Sequence, residues 1–369
     1  MRNVILISTG FFFLFFGTNA LQQYLLLLFR ADGRAELALI TLVIIYGTFA
    51  VTGVFIAKII PVLGGLKRSL IIGALTYVLF ALSVASQSTP FIITIAFCMG
   101  IGAGLLWISS GQLILDSSSE HTARNLSFQM IALYAGNIFG VFAGGYLIEH
   151  VSPFLMYLVL ATSMLLSIPF FLSVRPKREE VDIRPFKFGF LVDYRMLMLF
   201  PILFAAYFLQ GQVFTAMNLV IVSALGLGFI PIIISLVKVS NIIGTIGSGS
   251  VSDWYNKSVV LTSLVVIALS GIALFTLSTT FRFMLGGALL LGFAMAAIYP
   301  VSLAWLKEKI TKEEYLYALG IFHVYNNIGT VAAITANLWL PAGVSFLPGA
   351  LALLAALPGI YFFHRIRPQ

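Results

Sequence analysis

Charge and cysteine are both scarce in this chain of 369 residues. Only 9% of the residues are charged, whereas 60% are hydrophobic, and the mean hydropathy is +1.05. Soluble domains carry about 25% charged residues, so this composition excludes an ordinary water-soluble fold. The single cysteine, Cys98, lies inside an apolar stretch, which excludes a framework of disulfide bonds.

Signatures of catalysis are missing as well. The four histidines are not spaced like metal ligands, and the sequence shows no nucleophile motif and no nucleotide-binding domain. We therefore expect a protein that is not an enzyme, that uses no cofactor or metal, and that does not pump with ATP.

Twelve apolar stretches fill most of the chain instead. A helix needs about 20 residues to cross a hydrocarbon core of roughly 30 Å, and each stretch is long enough to do so. They predict an all-α membrane protein with 12 transmembrane helices. The predicted spans are residues 4–29, 36–60, 68–86, 90–115, 123–148, 152–173, 196–220, 229–252, 258–278, 281–306, 315–339 and 342–364.

Basic residues are concentrated on one side of the predicted membrane. Of the 21 lysines and arginines, 17 fall on the side that holds both termini, three fall on the other side, and Lys238 lies within a span. Because basic loops stay in the cytoplasm, we predict a multi-pass protein of the cell membrane with both termini cytoplasmic. The net charge of +8 then indicates contact with anionic lipid headgroups. We expect a monomer and no nucleic-acid partner.

The longest polar stretch, residues 174–195, divides the predicted spans into six and six. The halves also echo one another, since the run NIFGV that starts at Asn137 recurs as NIGTV from Asn327. We predict an N-terminal six-helix bundle at 1–173, a cytoplasmic linker at 174–195 and a C-terminal six-helix bundle at 196–369.

This arrangement of two sixes around a cytoplasmic loop resembles the major facilitator superfamily. The resemblance implies two pseudo-symmetric helix bundles with a solute site near the midplane between the halves. The segment from Gly249 to Lys257 resembles a superfamily signature in the loop after the second span of each half. It implies a conformational latch that uses Asp253 and Lys257, with a solvated turn as the alternative. In the first half Ala57 stands where the acid is expected.

The first half has a more particular resemblance, over roughly residues 10–150. The runs NALQ from Asn19, IYGTFA from Ile45 and GIGAGLLW from Gly100 are similar to the uncoordinated-ninety-three branch of the superfamily. Animal members of that branch are known as a potassium-channel regulatory subunit and a receptor-trafficking chaperone, so a non-transporting role stays open.

Glycines of the fifth predicted span resemble the superfamily's antiporter signature. Val141 stands at the position of its proline, so the match favours exchange only weakly. The glycines are Gly136, Gly140, Gly144 and Gly145.

Lys238 is the only charged residue near the middle of a predicted span. A charge at that depth costs about 2.5 to 3.5 kcal/mol on insertion scales, and snorkelling to the surface is difficult from mid-helix. All 13 acidic residues lie at span ends or in connections, so Lys238 either meets an anionic solute or is held neutral. Any proton coupling would have to use Lys238 or His323.

Uncharged polar and aromatic residues provide further candidates for a solute site. Asparagine, glutamine and similar residues also join helices by hydrogen bonds, and that alternative applies to each of them. The predicted solute-binding residues besides Lys238 are Asn241, His323, Asn326, Asn327, Tyr134, Asn137, Gln22, Tyr207, Gln210, Trp107 and Tyr299.

Three classes of function fit these patterns. The leading one is a secondary transporter of a small organic solute, anionic if it pairs with Lys238, that works by alternating access between two helix bundles. The others are a non-transporting membrane accessory or trafficking protein and an exporter of lipids or amphiphiles.

Overall fold

A computed structural model describes residues 1–117, 122–176, 189, 192–226, 228–277, 280–311, 314–340 and 346–366. Within these ranges the side chains of residues 26, 27, 30, 31, 122, 123, 214, 249, 250, 253 and 338 are not described. The described part of the chain is helical and contains no strand, which confirms the all-α prediction.

Seven helices form the first half of the described chain. They are α1 (Arg2–Ala31), α2 (Ala35–Val62), α3 (Leu66–Ala85), α4 (Thr89–Ser117), α5 (Thr122–His150), α6 (Pro153–Leu165) and α7 (Ser167–Leu172). Helices α6 and α7 together cover the sixth predicted span.

The second half contains seven more α-helices and one π-helical turn. They are α8 (Tyr194–Gln212), α9 (Asn218–Leu225), α10 (Phe229–Trp254), α11 (Lys257–Leu277), α12 (Phe281–Lys307), α13 (Tyr315–Trp339) and α14 (Leu347–His364), with the π-helical turn Val213–Met217 between α8 and α9. The seventh predicted span therefore consists of α8, the π-helical turn and α9.

Eleven candidate spans in the described residues are long and apolar enough to cross a membrane. Helix α13 has 25 residues but is not among them, although the sequence predicts a span there. It carries His323, Asn326 and Asn327 at its centre, which lowers its hydropathy. Polar residues that face the interior of the protein do not contact lipid, so a membrane helix can contain them and still have a lower mean hydropathy than its neighbours.

Local sequence signals fix several helix ends. Ser152 caps α6, since its Oγ accepts a hydrogen bond from the Leu155 amide at 3.3 Å, and Pro153 follows at the first helical position. The turn between α2 and α3 places Gly64 and Gly65 at positive φ angles of 87° and 102°, which glycine adopts without steric cost.

The chain divides into two compact units. Unit 1 comprises Met1–Lys187 with Leu319–Val324, and unit 2 comprises Phe188–Ala318 with Tyr325–Gln369. The predicted boundaries at 173 and 195 stay a prediction, because most of the linker lies outside the described residues.

Glycines bring helix backbones together inside each unit. In unit 1, a Cβ on Gly136 of α5 would lie 2.3 Å from the Phe12 carbonyl oxygen of α1. In unit 2, a Cβ on Gly329 of α13 would lie 2.4 Å from the Phe204 carbonyl oxygen of α8. These are the first and fifth spans of each half, so the two halves repeat one packing contact. The span-5 glycines thereby have a packing role that the sequence analysis did not assign to them.

Candidate functional site

Helix α10 has one polar and one apolar face. Polar residues recur every three or four positions from Lys238 to Ser252 and form a buried stripe, with Lys238 and Asn241 each 4% exposed. The opposite face is open, with Ile243 56% and Ile246 51% exposed. In a bilayer this orientation turns the apolar face to lipid and keeps the polar stripe within protein. The remaining buried members of the stripe are Thr245, Ser248 and Ser252.

Lys238 lies nine residues beyond the start of α10, about 13 Å along the helix at 1.5 Å per residue. Its ammonium group presents three hydrogen-bond donors and no acceptor. No carboxylate of the sequence lies near the middle of a predicted span. The group is therefore suited to the carboxylate, phosphate or carbonyl oxygens of a solute.

Asn241 joins α10 to α12. With its amide nitrogen turned towards the carbonyls, it donates to the Val237 oxygen at 3.0 Å and to the Gly292 oxygen at 2.6 Å. The helices touch at this level, because a Cβ on Gly292 would lie 2.4 Å from the Val237 oxygen. Asn241 thus has the helix-joining role that is the alternative to solute binding, and its contact with a solute stays a prediction.

Asn326 on α13 differs from Asn241 in the hydrogen bonding of its side-chain amide. Its side chain is fully buried, and neither its nitrogen nor its oxygen has a hydrogen-bond partner among the described residues. A buried polar group left without a partner costs about 1 to 3 kcal/mol. An arriving solute or a water molecule would remove that cost, which makes Asn326 well suited to bind one.

The neighbours of Asn326 link α13 to α8. Thr330 Oγ1 donates to the Tyr207 carbonyl oxygen at 3.3 Å, and Asn327 is buried on α13. The Tyr207 and Gln210 side chains of α8 are half-buried. They precede the π-helical turn, an irregularity that is frequent at functional sites. Tyr299 on α12 is 3% exposed.

In unit 1, Trp107 on α4 packs edge-on against the rings of Phe11 at 5.3 Å and Phe15 at 5.5 Å. Phe15 in turn packs against Tyr77, with 6.0 Å between ring centroids. His323, which groups with unit 1 by its contacts, has ring-centroid distances of 5.3 Å to Phe49 and 5.9 Å to Trp107.

The remaining unit 1 candidates are amides and a phenol. Gln22 Nε2 donates to the Tyr46 hydroxyl at 3.4 Å. Tyr134 and Asn137 of α5 are buried, and Asn137 Oδ1 has no hydrogen-bond partner in the described part of the chain.

Tyr46 and Tyr77 were not among the predicted solute-binding residues. Both lie in the interior of apolar spans, too deep for an interfacial aromatic belt. That depth is the sequence signal that could have marked both tyrosines as candidate solute contacts.

The predicted latch is described in part. Lys257, the first residue of α11, donates to Glu308 Oε1 at 2.7 Å just beyond the end of α12. The side chain of Asp253 lies outside the described residues, so the latch stays a prediction.

A second group of charged residues, centred on Arg195, lies at helix ends where the sequence predicted only polar connections. Arg195 Nε and Nη2 donate to the Asp193 carboxylate at 2.9 and 2.8 Å, and Nη1 and Nη2 donate to Glu314 at 3.2 and 3.1 Å. Nη1 also donates to the Lys309 carbonyl oxygen at 3.0 Å. The Arg195 side chain is 8% exposed, so this cluster is largely withdrawn from water.

Arg195 shifts the titration of both acids. Burial raises the pKa of Asp193, but the hydrogen bonds from Arg195 outweigh that effect and hold the pKa below its ordinary value of 3.8. Burial opposes the same partner at Glu314, and hydrogen bonds from Arg195 and the Thr311 amide keep its pKa below 4.5. Both groups are therefore carboxylates at neutral pH.

The described ranges contain no cluster of three or more histidine, cysteine, aspartate and glutamate side chains able to hold an ion.

Comparison with known proteins gives the chain relatives. The sequence profile of the Major Facilitator Superfamily matches residues 7–269, which is more than half of the chain. The protein unc-93 homolog A of Bos taurus is 26% identical over 144 residues, and that of Homo sapiens is 27% identical over 144 residues. These matches cover 38% of this chain and 31% of each relative's length. They confirm the resemblance of the first half to the uncoordinated-ninety-three branch.

A solved structure matches the whole chain. The crystal structure of a variant of the E. coli fucose:proton symporter superposes with a TM-score of 0.71, at 16% sequence identity, and both chains are covered completely. At this identity the similarity shows the fold, and it confirms the predicted pair of six-helix bundles.

Proposed function

Because this chain belongs to the Major Facilitator Superfamily, we propose that it is a secondary transporter that moves a small organic solute across a membrane by alternating access of its two helix bundles. The family match over residues 7–269 and the fold shared with a symporter support this proposal. Such transport moves the solute unchanged, so the proposal includes no enzymatic step.

The solute carries an anionic group that Lys238 binds. This part of the proposal depends on one observation, a lysine buried to 4% exposure near mid-helix in α10 on the protein-facing side. A charge kept at that depth costs several kcal/mol (about 2.5 to 3.5 on insertion scales) unless it has a function or a compensating group. An anionic solute would add a favourable charge interaction to the contacts that the lysine already makes.

Asn326 supplies hydrogen bonds to the same solute. Its amide offers two donors and one acceptor, and neither atom is engaged within the described residues. The other residues that we propose as solute contacts are Asn241, His323, Asn327, Tyr134, Asn137, Gln22, Tyr207, Gln210, Trp107 and Tyr299.

Ligand-induced stabilisation of the purified protein tests the anion proposal. The probes are lactate, gluconate, glucuronate and glycerol 3-phosphate, each paired with a neutral counterpart such as lactamide, glucose or glycerol. We expect at least one acid, and not its counterpart, to raise the Tm of the wild type. Lys238→Met should abolish that shift, and Lys58→Met, which removes an exposed lysine, should retain it.

Two outcomes would contradict the proposal. One is a shift of equal size in the wild type and Lys238→Met, and the other is stabilisation by the neutral compounds alone. Uptake of the stabilising acid into proteoliposomes, with and without Lys238→Met, then tests transport itself.

A second candidate is a non-transporting accessory role. It is favoured by the similarity of the first half to unc-93 homolog A proteins. A purified sample that binds none of the probes but co-purifies with one membrane protein would support it.

We also propose that both termini are cytoplasmic, in the cell membrane. The distribution of basic residues supports this orientation.

Single cysteines in a Cys98→Ser background test this orientation in whole cells with an impermeant maleimide. Ser88→Cys should react before lysis and Asn256→Cys only after it. The reverse order would refute the orientation.

A further inference from the structure

Arg195 uses its whole guanidinium group at the cytoplasmic end of unit 2. Its side chain donates five hydrogen bonds to described residues, two to Asp193, two to Glu314 and one to the Lys309 carbonyl oxygen. A guanidinium has five N–H donors in a fixed planar fork. Every donor therefore has an acceptor, and the plane of the group is fixed by two carboxylates.

The acceptors belong to different helices. Asp193 is the residue that caps α8 and accepts from the Arg195 amide at 2.8 Å, whereas Glu314 immediately precedes α13. Lys309 follows the end of α12 by two residues. One side chain thus ties the ends of three helices that are far apart in sequence.

Lys309 extends the connection to α14. Lys309 is 4% exposed, and its ammonium group donates to the Ile366 carbonyl oxygen, two residues beyond the end of α14. Trp305 of α12 packs edge-on against Phe363 of α14, with 4.5 Å between ring centroids. The same cluster therefore holds the end of a fourth helix.

We propose that Arg195 is a positioning residue for the solute site: with Asp193, Lys309 and Glu314 it forms a cytoplasmic staple that holds the ends of α8, α12, α13 and α14 in one arrangement. This inference rests on the proposed transport function, because α8 carries Tyr207 and Gln210 and α13 carries Asn326. The staple lies at one end of each helix, whereas Tyr207 and Gln210 lie towards the other end of α8 and Asn326 lies in the middle of α13. It acts on the solute through the helices and does not touch it.

The planar fork of arginine is essential to this role. A lysine would retain one positive charge but has a single ammonium group on a flexible stem. Its three donors radiate from one nitrogen, so at least two of the five contacts made by the planar fork would be lost. Arg195→Lys therefore separates the charge of the staple from its geometry.

The test compares Arg195→Gln and Arg195→Lys with Arg282→Gln in lipid nanodiscs. Arg282 is an exposed arginine of the same unit, at the other end of α12. Removal of one partner from a buried ionic cluster is strongly destabilising locally. We expect amide hydrogen exchange in residues 308–311 and 314–320 to accelerate about tenfold or more in Arg195→Gln, and to be unchanged in Arg282→Gln.

Trp305 provides a spectroscopic signature of the same change. With Trp107, Trp254 and Trp339 replaced by phenylalanine, Trp305 is the sole tryptophan, and it is 4% exposed. Its emission should shift to longer wavelength when Arg195→Gln is added. An unchanged spectrum together with unchanged exchange would overturn the staple.

Transport kinetics test positioning directly, with whichever acid of the panel above stabilises the wild type. We expect Arg195→Gln to raise Kd about tenfold with Vmax within twofold, and Arg195→Lys to regain only part of the affinity. A fall in Vmax at unchanged Kd, which loss of folded protein alone would produce, or an equal effect in Arg282→Gln, would refute the positioning role. The hydrogen-exchange and fluorescence measurements need no solute. If no solute is found, the transport proposal is contradicted, whereas the staple is still tested by these two measurements.

Discussion

Gly140 of α5 and Phe16 of α1 are in backbone contact. A Cβ at position 140 would lie 2.0 Å from the Phe16 carbonyl oxygen, closer than atoms can approach without movement of the backbone. The residue is therefore required to be glycine by the packing of α5 on α1, whatever its place in a transport cycle. Small residues allow such close approach in membrane helices generally.

We expect Gly140→Ala to destabilise the folded protein by about 1 to 3 kcal/mol, the usual cost of overpacking. Gly47→Ala is the matched control, because it adds the same methyl group within α2 of the same unit, where nothing lies within 4 Å. Thermal unfolding of both variants in detergent measures the difference. Equal Tm values for Gly140→Ala and the wild type would contradict the contact.

Two buried asparagines of unit 2 should respond in opposite ways to replacement by leucine. Asn241→Leu removes bonds to two carbonyl oxygens and should cost about 1 to 2 kcal/mol of stability. Asn326→Leu removes an amide with no partner among the described residues. It should leave Tm unchanged or raise it, while abolishing the stabilisation by the solute. Chemical denaturation and the ligand screen together distinguish the two, and a large loss of stability in Asn326→Leu would exclude the assigned role.

The ion pair of Lys257 and Glu308 tests the latch proposal. Its side chains are 16% and 49% exposed, and exposed pairs contribute only about 0 to 1 kcal/mol to stability. Lys257→Gln should therefore change uptake much more than Tm if the pair latches one conformation. The double exchange Lys257→Glu with Glu308→Lys should restore uptake. No recovery would favour a solvated turn.

Stability should fall in acid because of Asp193 and Glu314. Both have folded pKa values below their ordinary values of 3.8 and 4.5, so their contribution is fully present above about pH 4.5 and is lost as the pH falls through the lower folded values. In Arg195→Gln the contribution is already missing. The difference in unfolding free energy between wild type and variant should thus be largest at pH 7 and shrink below about pH 4. A constant difference from pH 7 to pH 3 would contradict the assignment.

Much of the fold follows from the apolar pattern. Helix α10 begins at Phe229 and α12 at Phe281, the residues at which the predicted spans begin. A hydrocarbon core forces helices of this length on an apolar chain, because backbone groups must be satisfied internally. The division of the seventh span by a π-helical turn was not predicted, since periodicity does not register one extra residue in a turn.

The candidate site was only partly predictable. Lys238 could be identified because a charge in the middle of a span is rare, and its position within α10 follows from counting residues. Asn241 and Asn326 have the same side chain and similar sequence surroundings. The Val237 oxygen lies one turn back on α10, but only the close approach of Gly292 gives Asn241 its partner on α12, and no sequence pattern records that distance.

The membrane fold, the division into two sixes and the one charge within the spans follow from hydrophobicity, length and charge, which act locally along the chain. Tertiary structure decided which polar residues are bonded to one another. Arg195 meets Glu314 across 119 residues, and that contact depends on how four helix ends pack. Hydrogen bonds extend only about 3 Å, so their partners are fixed by packing and not by spacing along the chain.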